Sequence, residues 1–69
     1  MSYKRQKVMK ALASRGFGVI REGSRHTIVG NDEGLREPVP RHGDINRMTM
    51  RRIVKNLGIN WSEFEPEIT

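Results

Sequence analysis

At 69 residues, with a formal net charge of +5 and an isoelectric point near 10.5, the chain has room for one domain with a modest core, which argues against a deep small-molecule pocket. It holds no cysteine, which excludes disulfides and thiolate metal sites, and two histidines without cysteine argue against a structural zinc. No apolar run approaches bilayer length and Met1–Lys7 has no apolar signal region, so a cytoplasmic protein with no membrane role and no metal is expected.

In chain order, Ser2 is the expected N-cap of a first helix. Val8 and Leu12, with Met1 or Lys4, repeat at helical spacing, and Met9 and Ala13 lie beside them. Lys4, Arg5, Lys7 and Lys10 cover much of the remaining surface. The helix is expected to end near Ser14–Arg15, because Gly16 suits the position just past a helix end. Phe17–Glu22 reads as a strand, Gly23–Ser24 as a turn, and His26–Val29 as a second, β-branched strand. Gly30–Gly34 is rich in turn formers, and Arg36–Pro40 is a third extended piece. Pro38 and Pro40 are two apart, so their missing N–H groups face one side, as an edge strand requires.

Met50, Ile53, Val54 and Leu57 form the i, i+3, i+4, i+7 stripe of a second helix, capped by Asn46 or Thr49 and ended by Gly58. Arg47, Arg51, Arg52 and Lys55 line much of its remainder, more simply a solvated face than a binding site. The tail, Ile59–Thr69, carries Trp61 and Phe64, which either staple it to the domain or mark a partner contact. The resulting order, α-β-β-β-α, is an α+β domain: a three-stranded antiparallel sheet with both helices on one face and the other face open.

Charge follows this order unevenly. Residues 1–30 carry +6, residues 31–45 carry −2, residues 46–58 carry +4 and the tail carries −3. Two basic blocks suit a polyanion, although a merely solubilising surface explains them equally well.

The two histidines stand out, because each sits beside an arginine: Arg25-His26 and Arg41-His42. If the second and third strands pair about the Gly30–Gly34 loop with Ile28 opposite Pro38, then His26 lies opposite Pro40 and His42 follows just past the ladder. His26, Arg41 and His42 then share a sheet edge with Ser24 and Arg25 nearby. With Phe17, Val19, Val29 and Val39 inward, alternation turns His26 outward together with Ile28. Metal-free RNA cleavage needs a base for the 2′-OH, an acid for the leaving 5′-oxygen and cations for the phosphorane. Histidine serves the first two and arginine or lysine the third. The plain alternatives are a locally packed strand residue at His26 and an ordinary loop residue at His42.

Gly23-Ser24-Arg25-His26-Thr27, Val39-Pro40-Arg41-His42, and Thr49, Arg52 and Ile53 running on to Leu57-Gly58-Ile59 together resemble the HicA (YcfA-like) toxins. The resemblance runs from the first helix through Ile59. It departs from the family pattern where Arg25 separates Ser24 from His26, and where Met48 precedes Thr49. It implies a double-stranded-RNA-binding-domain-like α-β-β-β-α fold over residues 1–69, with a core of about 2–59 and an acidic tail at 60–69. It also implies an mRNA-cleaving endoribonuclease that needs no cofactor, with mRNA as substrate and a HicB-type antitoxin that masks the site. Carried over by position, His26 is the catalytic histidine, while His42, placed near it by the strand pairing above, is a candidate second acid or base. Ser24, Arg25, Arg41, Lys4 and Lys7 are the candidate RNA-binding residues. The alternative is a non-catalytic RNA-binding module of the double-stranded type, which reads A-form shape through phosphates and 2′-OH groups.

Overall fold

The computed structural model describes residues 1–69. The chain runs β1 (Ser2–Lys4), α1 (Arg5–Ser14), β2 (Gly18–Glu22), β3 (His26–Gly30), β4 (Arg36–Pro40), β5 (Asp44–Asn46), α2 (Arg47–Asn56) and α3 (Trp61–Ile68). It is α+β, with an antiparallel sheet in the order β2-β3-β4 and a separate two-stranded ribbon, β1-β5. β3 and β4 pair in the expected register, Ile28 opposite Pro38 and His26 opposite Pro40.

Both long helices stop for the same reason. Gly16 and Gly58 adopt φ of +89° and +74°, a conformation that is free of penalty only without a Cβ. The chain then turns back on each helix: the Phe17 amide donates to the Leu12 carbonyl, and the Ile59 amide to the Val54 carbonyl. In each case the glycine amide also donates back, Gly16 to the Ala13 carbonyl and Gly58 to the Lys55 carbonyl, both at 3.0 Å, which completes the Schellman pattern. α2 starts where Asn46 accepts the Thr49 amide on its side chain at 2.8 Å, so Asn46 is the cap and Thr49 is not.

Three expectations are corrected. Ser2 does not cap α1. Residues 2–4 form a strand, because pairing Tyr3 with Ile45 buries both side chains, and the helix begins only at Arg5 with no side-chain cap. Met1 lies outside the core at 80% exposure. Val19 is also outside it, although it pairs with the buried Val29. The helices cover β3 and β4, whereas β2 overhangs their edge and all five of its residues are exposed.

Residues 60–69 are not an appended tail. Asn60 caps α3 by accepting the Ser62 amide, and Phe64 and Ile68 enter the core. There they join Val8 and Leu12 of α1, Val29 and Val39 of the sheet, and Met50, Ile53 and Val54 of α2. Two of the three acidic residues of α3 have basic or polar partners. Glu65 accepts the Tyr3 hydroxyl at 3.0 Å, and Glu67 pairs with Arg15 at 2.5 Å. The Arg15 guanidinium also lies over the Phe64 ring, 5.5 Å from its centre.

Alternation along β3 and β4 sorts the sheet into two faces. Thr27, Val29, Glu37 and Val39 point to the helices and are buried. His26, Ile28, Arg36 and Pro38 point the other way, where no helix lies, with His26 exposed and Ile28 half-buried.

Candidate functional site

The open face of the sheet ends at the tip of the β2–β3 hairpin. Its loop is two residues, Ser24 and Arg25, closed by the Gly23 amide donating to the His26 carbonyl at 2.8 Å. A Cβ on Gly23 would stand 3.0 Å from that same oxygen, so glycine lets the two strands close up here. No residue of the tip has a positive φ. A two-residue loop of this kind splays its strands, unlike the primed turns that follow sheet twist.

Arg41 closes the tip from the next strand. Its backbone amide donates to the Arg25 carbonyl at 3.1 Å, and its Nη1 to the Gly23 carbonyl at 2.5 Å. Its Nε lies 3.8 Å from a Glu22 carboxylate oxygen. On the buried face beneath, Arg5 donates from Nη2 to Thr27 Oγ1 and from Nε to the Pro40 carbonyl, and Thr27 donates in turn to Glu22 at 2.6 Å. The Arg5 amide also donates to the Gly43 carbonyl at 2.8 Å. This chain satisfies the fully buried Thr27 hydroxyl, so the polar group costs little there. It also ties the start of α1 to the hairpin just behind its tip.

A shallow open depression lies at the tip, lined by Arg21, Gly23, Ser24, Arg25, His26 and Ile28. The His26 ring makes no hydrogen bond to the protein and is free to meet a ligand, flanked by the guanidinium-bearing residues Arg21 and Arg25. An imidazole can move protons there while guanidinium groups bind phosphate oxygens in pairs.

Of the residues singled out from sequence, Ser24, Arg25 and His26 come together at this depression. Arg41 sits at its back, with its guanidinium engaged by Gly23 and Glu22. His42 is exposed on the segment between β4 and β5 and does not line the depression. Lys4 lies on β1 opposite Asp44, and Lys7 on α1 donates to the Thr69 carbonyl at 2.8 Å, so neither belongs to the tip.

Arg21 was missed, and the cause is a β-bulge. The pairing slips between Val19 and Arg21, which leaves Ile20 as the extra residue and puts Arg21 opposite Ile28 on the open face. Ile20 packs over Gly30, where a Cβ would fall 2.3 Å from Ile20 Cδ1 and 2.9 Å from the Leu35 carbonyl oxygen. Gly30 was the one hint of this in the sequence, since a glycine inside a strand often marks a close approach.

The family model described as the HicA toxin of bacterial toxin–antitoxin systems matches residues 5–59. No curated protein matches the chain.

Proposed function

The chain belongs to the HicA toxin family of bacterial toxin–antitoxin systems, and from that premise we propose that it is an endoribonuclease that cleaves mRNA with His26 as a proton-transfer group. The observation that carries the reading is an exposed imidazole with no protein partner, set between Arg21 and Arg25 on a sheet face that no helix covers. RNA lies across this open face with a phosphate in the depression. Arg21 and Arg25 hold its non-bridging oxygens and stabilise the charge that builds up on the phosphorane. His26 either takes the proton of the 2′-OH as that oxygen attacks phosphorus, or gives a proton to the departing 5′-oxygen. His42, the other imidazole of the chain, lies outside the depression and is the candidate for the complementary role only where RNA bound at the tip extends to the segment between β4 and β5. The balanced products are a 2′,3′-cyclic phosphate and a 5′-hydroxyl. A HicB-type antitoxin in the same cytoplasm neutralises the protein by covering this depression.

The test is His26→Ala. General acid–base catalysis contributes about 100-fold to 10,000-fold, so cleavage of an mRNA substrate should fall by at least about 100-fold. Circular dichroism and thermal midpoint should stay unchanged, because the ring is exposed and bonds to nothing. Retained cleavage removes His26 from the chemistry. RNA left intact by the wild-type protein, bound with steep salt dependence, would return the domain to the non-catalytic binding module.

A further inference from the structure

A second concave surface lies on the helical layer, across the sheet from His26. α2 carries Arg47, Arg51, Arg52 and Lys55 and no acidic residue. Beside it the chain turns at Gly58 and runs through Ile59 into Trp61, the first residue of α3. The groove between them is lined by Arg51, Arg52, Val54, Lys55, Ile59 and Trp61. Its floor is apolar and its rim is cationic. Arg52 is the one cation here with an acidic neighbour, its Nε lying 3.8 Å from Glu37 Oε1. Arg51 and Lys55 pair with no carboxylate.

We propose that this groove docks an acidic peptide segment of a partner protein, with an aliphatic side chain seated on Ile59 and Trp61 above the buried Val54 and flanking carboxylates on Arg51 and Lys55. Charge complementarity argues for the carboxylates, since a rim of like charges with no acid among them is stabilised by a partner that brings the opposite sign. The choice of peptide over nucleic acid comes from the aromatic ring. Single-stranded nucleic acid is held by bases stacked on free aromatic faces. The Arg47 and Arg51 guanidinium groups already lie over the Trp61 ring, 5.9 and 5.6 Å from its centre, and Tyr3 meets it edge-on at 5.9 Å, so a base has to displace charged side chains to stack there. The contact left for a ligand is aliphatic and concave, the form that takes a buried side-chain anchor. Trp61 lies beyond residues 5–59, so the groove is completed by a part of the chain outside the family match.

Trp61 is the only tryptophan, so its emission reports on this groove and no other. The probe is a synthetic peptide of alternating Glu-Glu-Leu units, titrated into the full chain. A serine-for-leucine version, a lysine-for-glutamate version and a single-stranded DNA oligonucleotide, which the proposed RNA chemistry cannot cut, serve as comparisons. The Glu-Glu-Leu peptide should shift the emission saturably at or below millimolar concentration, and both altered peptides should bind at least about tenfold more weakly, a difference of about 1.4 kcal/mol. Lys55→Glu, which leaves the Trp61 stack intact, should weaken the peptide about tenfold with no change in RNA cleavage, and Arg51→Glu should do the same. The proposal is overturned by the absence of a saturable response to the acidic peptide, or by equal binding of the lysine version. Oligonucleotide binding with the same dependence on Lys55 and Arg51 also overturns it, by making the groove a nucleic-acid surface. Since no arm reads RNA cleavage as its positive signal, failure here leaves the assignment of His26 untouched.

Discussion

Phe64→Ala tests whether α3 is part of the fold or an ornament on it. Phe64 is fully buried, packed in the same cluster as Val8, Leu12 and Ile53, with Arg15 over its ring. Truncating a buried phenylalanine to alanine costs about 3–5 kcal/mol, part of it lost transfer energy and part the cavity left behind. Loss of the guanidinium–ring contact adds up to about 1 kcal/mol at a partly exposed site. Small domains are stable by about 0.05–0.15 kcal/mol per residue, which for a chain of 69 residues is about 3.5–10 kcal/mol. The variant should therefore lose between a third and all of its stability. With a urea slope of about 1 kcal/mol/M for a protein of this size, the midpoint should fall by about 3 M or more. Urea unfolding followed by Trp61 emission and by far-ultraviolet dichroism measures this, with the exposed Glu63→Ala as a control expected to stay within about 0.5 kcal/mol. A loss below about 1 kcal/mol refutes the reasoning. Non-coincident curves from the two probes show α3 detaching by itself, which also contradicts a shared core.

Two further outcomes follow from single side chains. Arg41→Ala should speed hydrogen exchange at the Gly23 amide and slow RNA cleavage by loosening the tip that carries His26, while leaving the salt dependence of RNA binding as it was. A salt slope reduced by about one would instead make Arg41 a phosphate ligand. Tyr3 titrates above the ordinary phenol value of 10.0, chiefly because burial disfavours the phenolate and further because it donates to the Glu65 carboxylate, with Arg47 and Arg51 opposing. The folded state then holds its proton when the unfolded state has lost it, so this contribution to stability is complete below pH 10 and drains away as pH rises through the folded value. Tyr3 is the only tyrosine, so the absorbance of tyrosinate reports it directly. A midpoint at or below pH 10 in the native protein contradicts the buried, Glu65-bonded placement.

Local chemistry was legible along the chain. Gly16 and Gly58 end helices because each needs a positive φ, the α2 stripe is the helical period itself, and Pro38 and Pro40 place β4 at an edge. The β3–β4 register followed from alternation, since sliding one residue would bury His26 and expose Val29. Of the depression, the contiguous run Ser24-Arg25-His26 could be read directly, because a hairpin tip keeps its neighbours in sequence together in space.

What the sequence could not disclose depends on partners far away along the chain. Residues 2–4 have no strand signature; they become β1 because Ile45 offers Tyr3 a buried partner 42 positions on. The bulge that swings Arg21 onto the open face arises from Ile20 closing on Gly30, and no local propensity encodes that contact. The segment after Gly58 reads as a short acidic tail until the core is assembled, when Phe64 and Ile68 find the gap between α1 and α2 and their burial holds the last helix in place. Composition and periodicity are properties of neighbours in the chain, whereas burial is a property of neighbours in space, and only the folded molecule decides which residues those are.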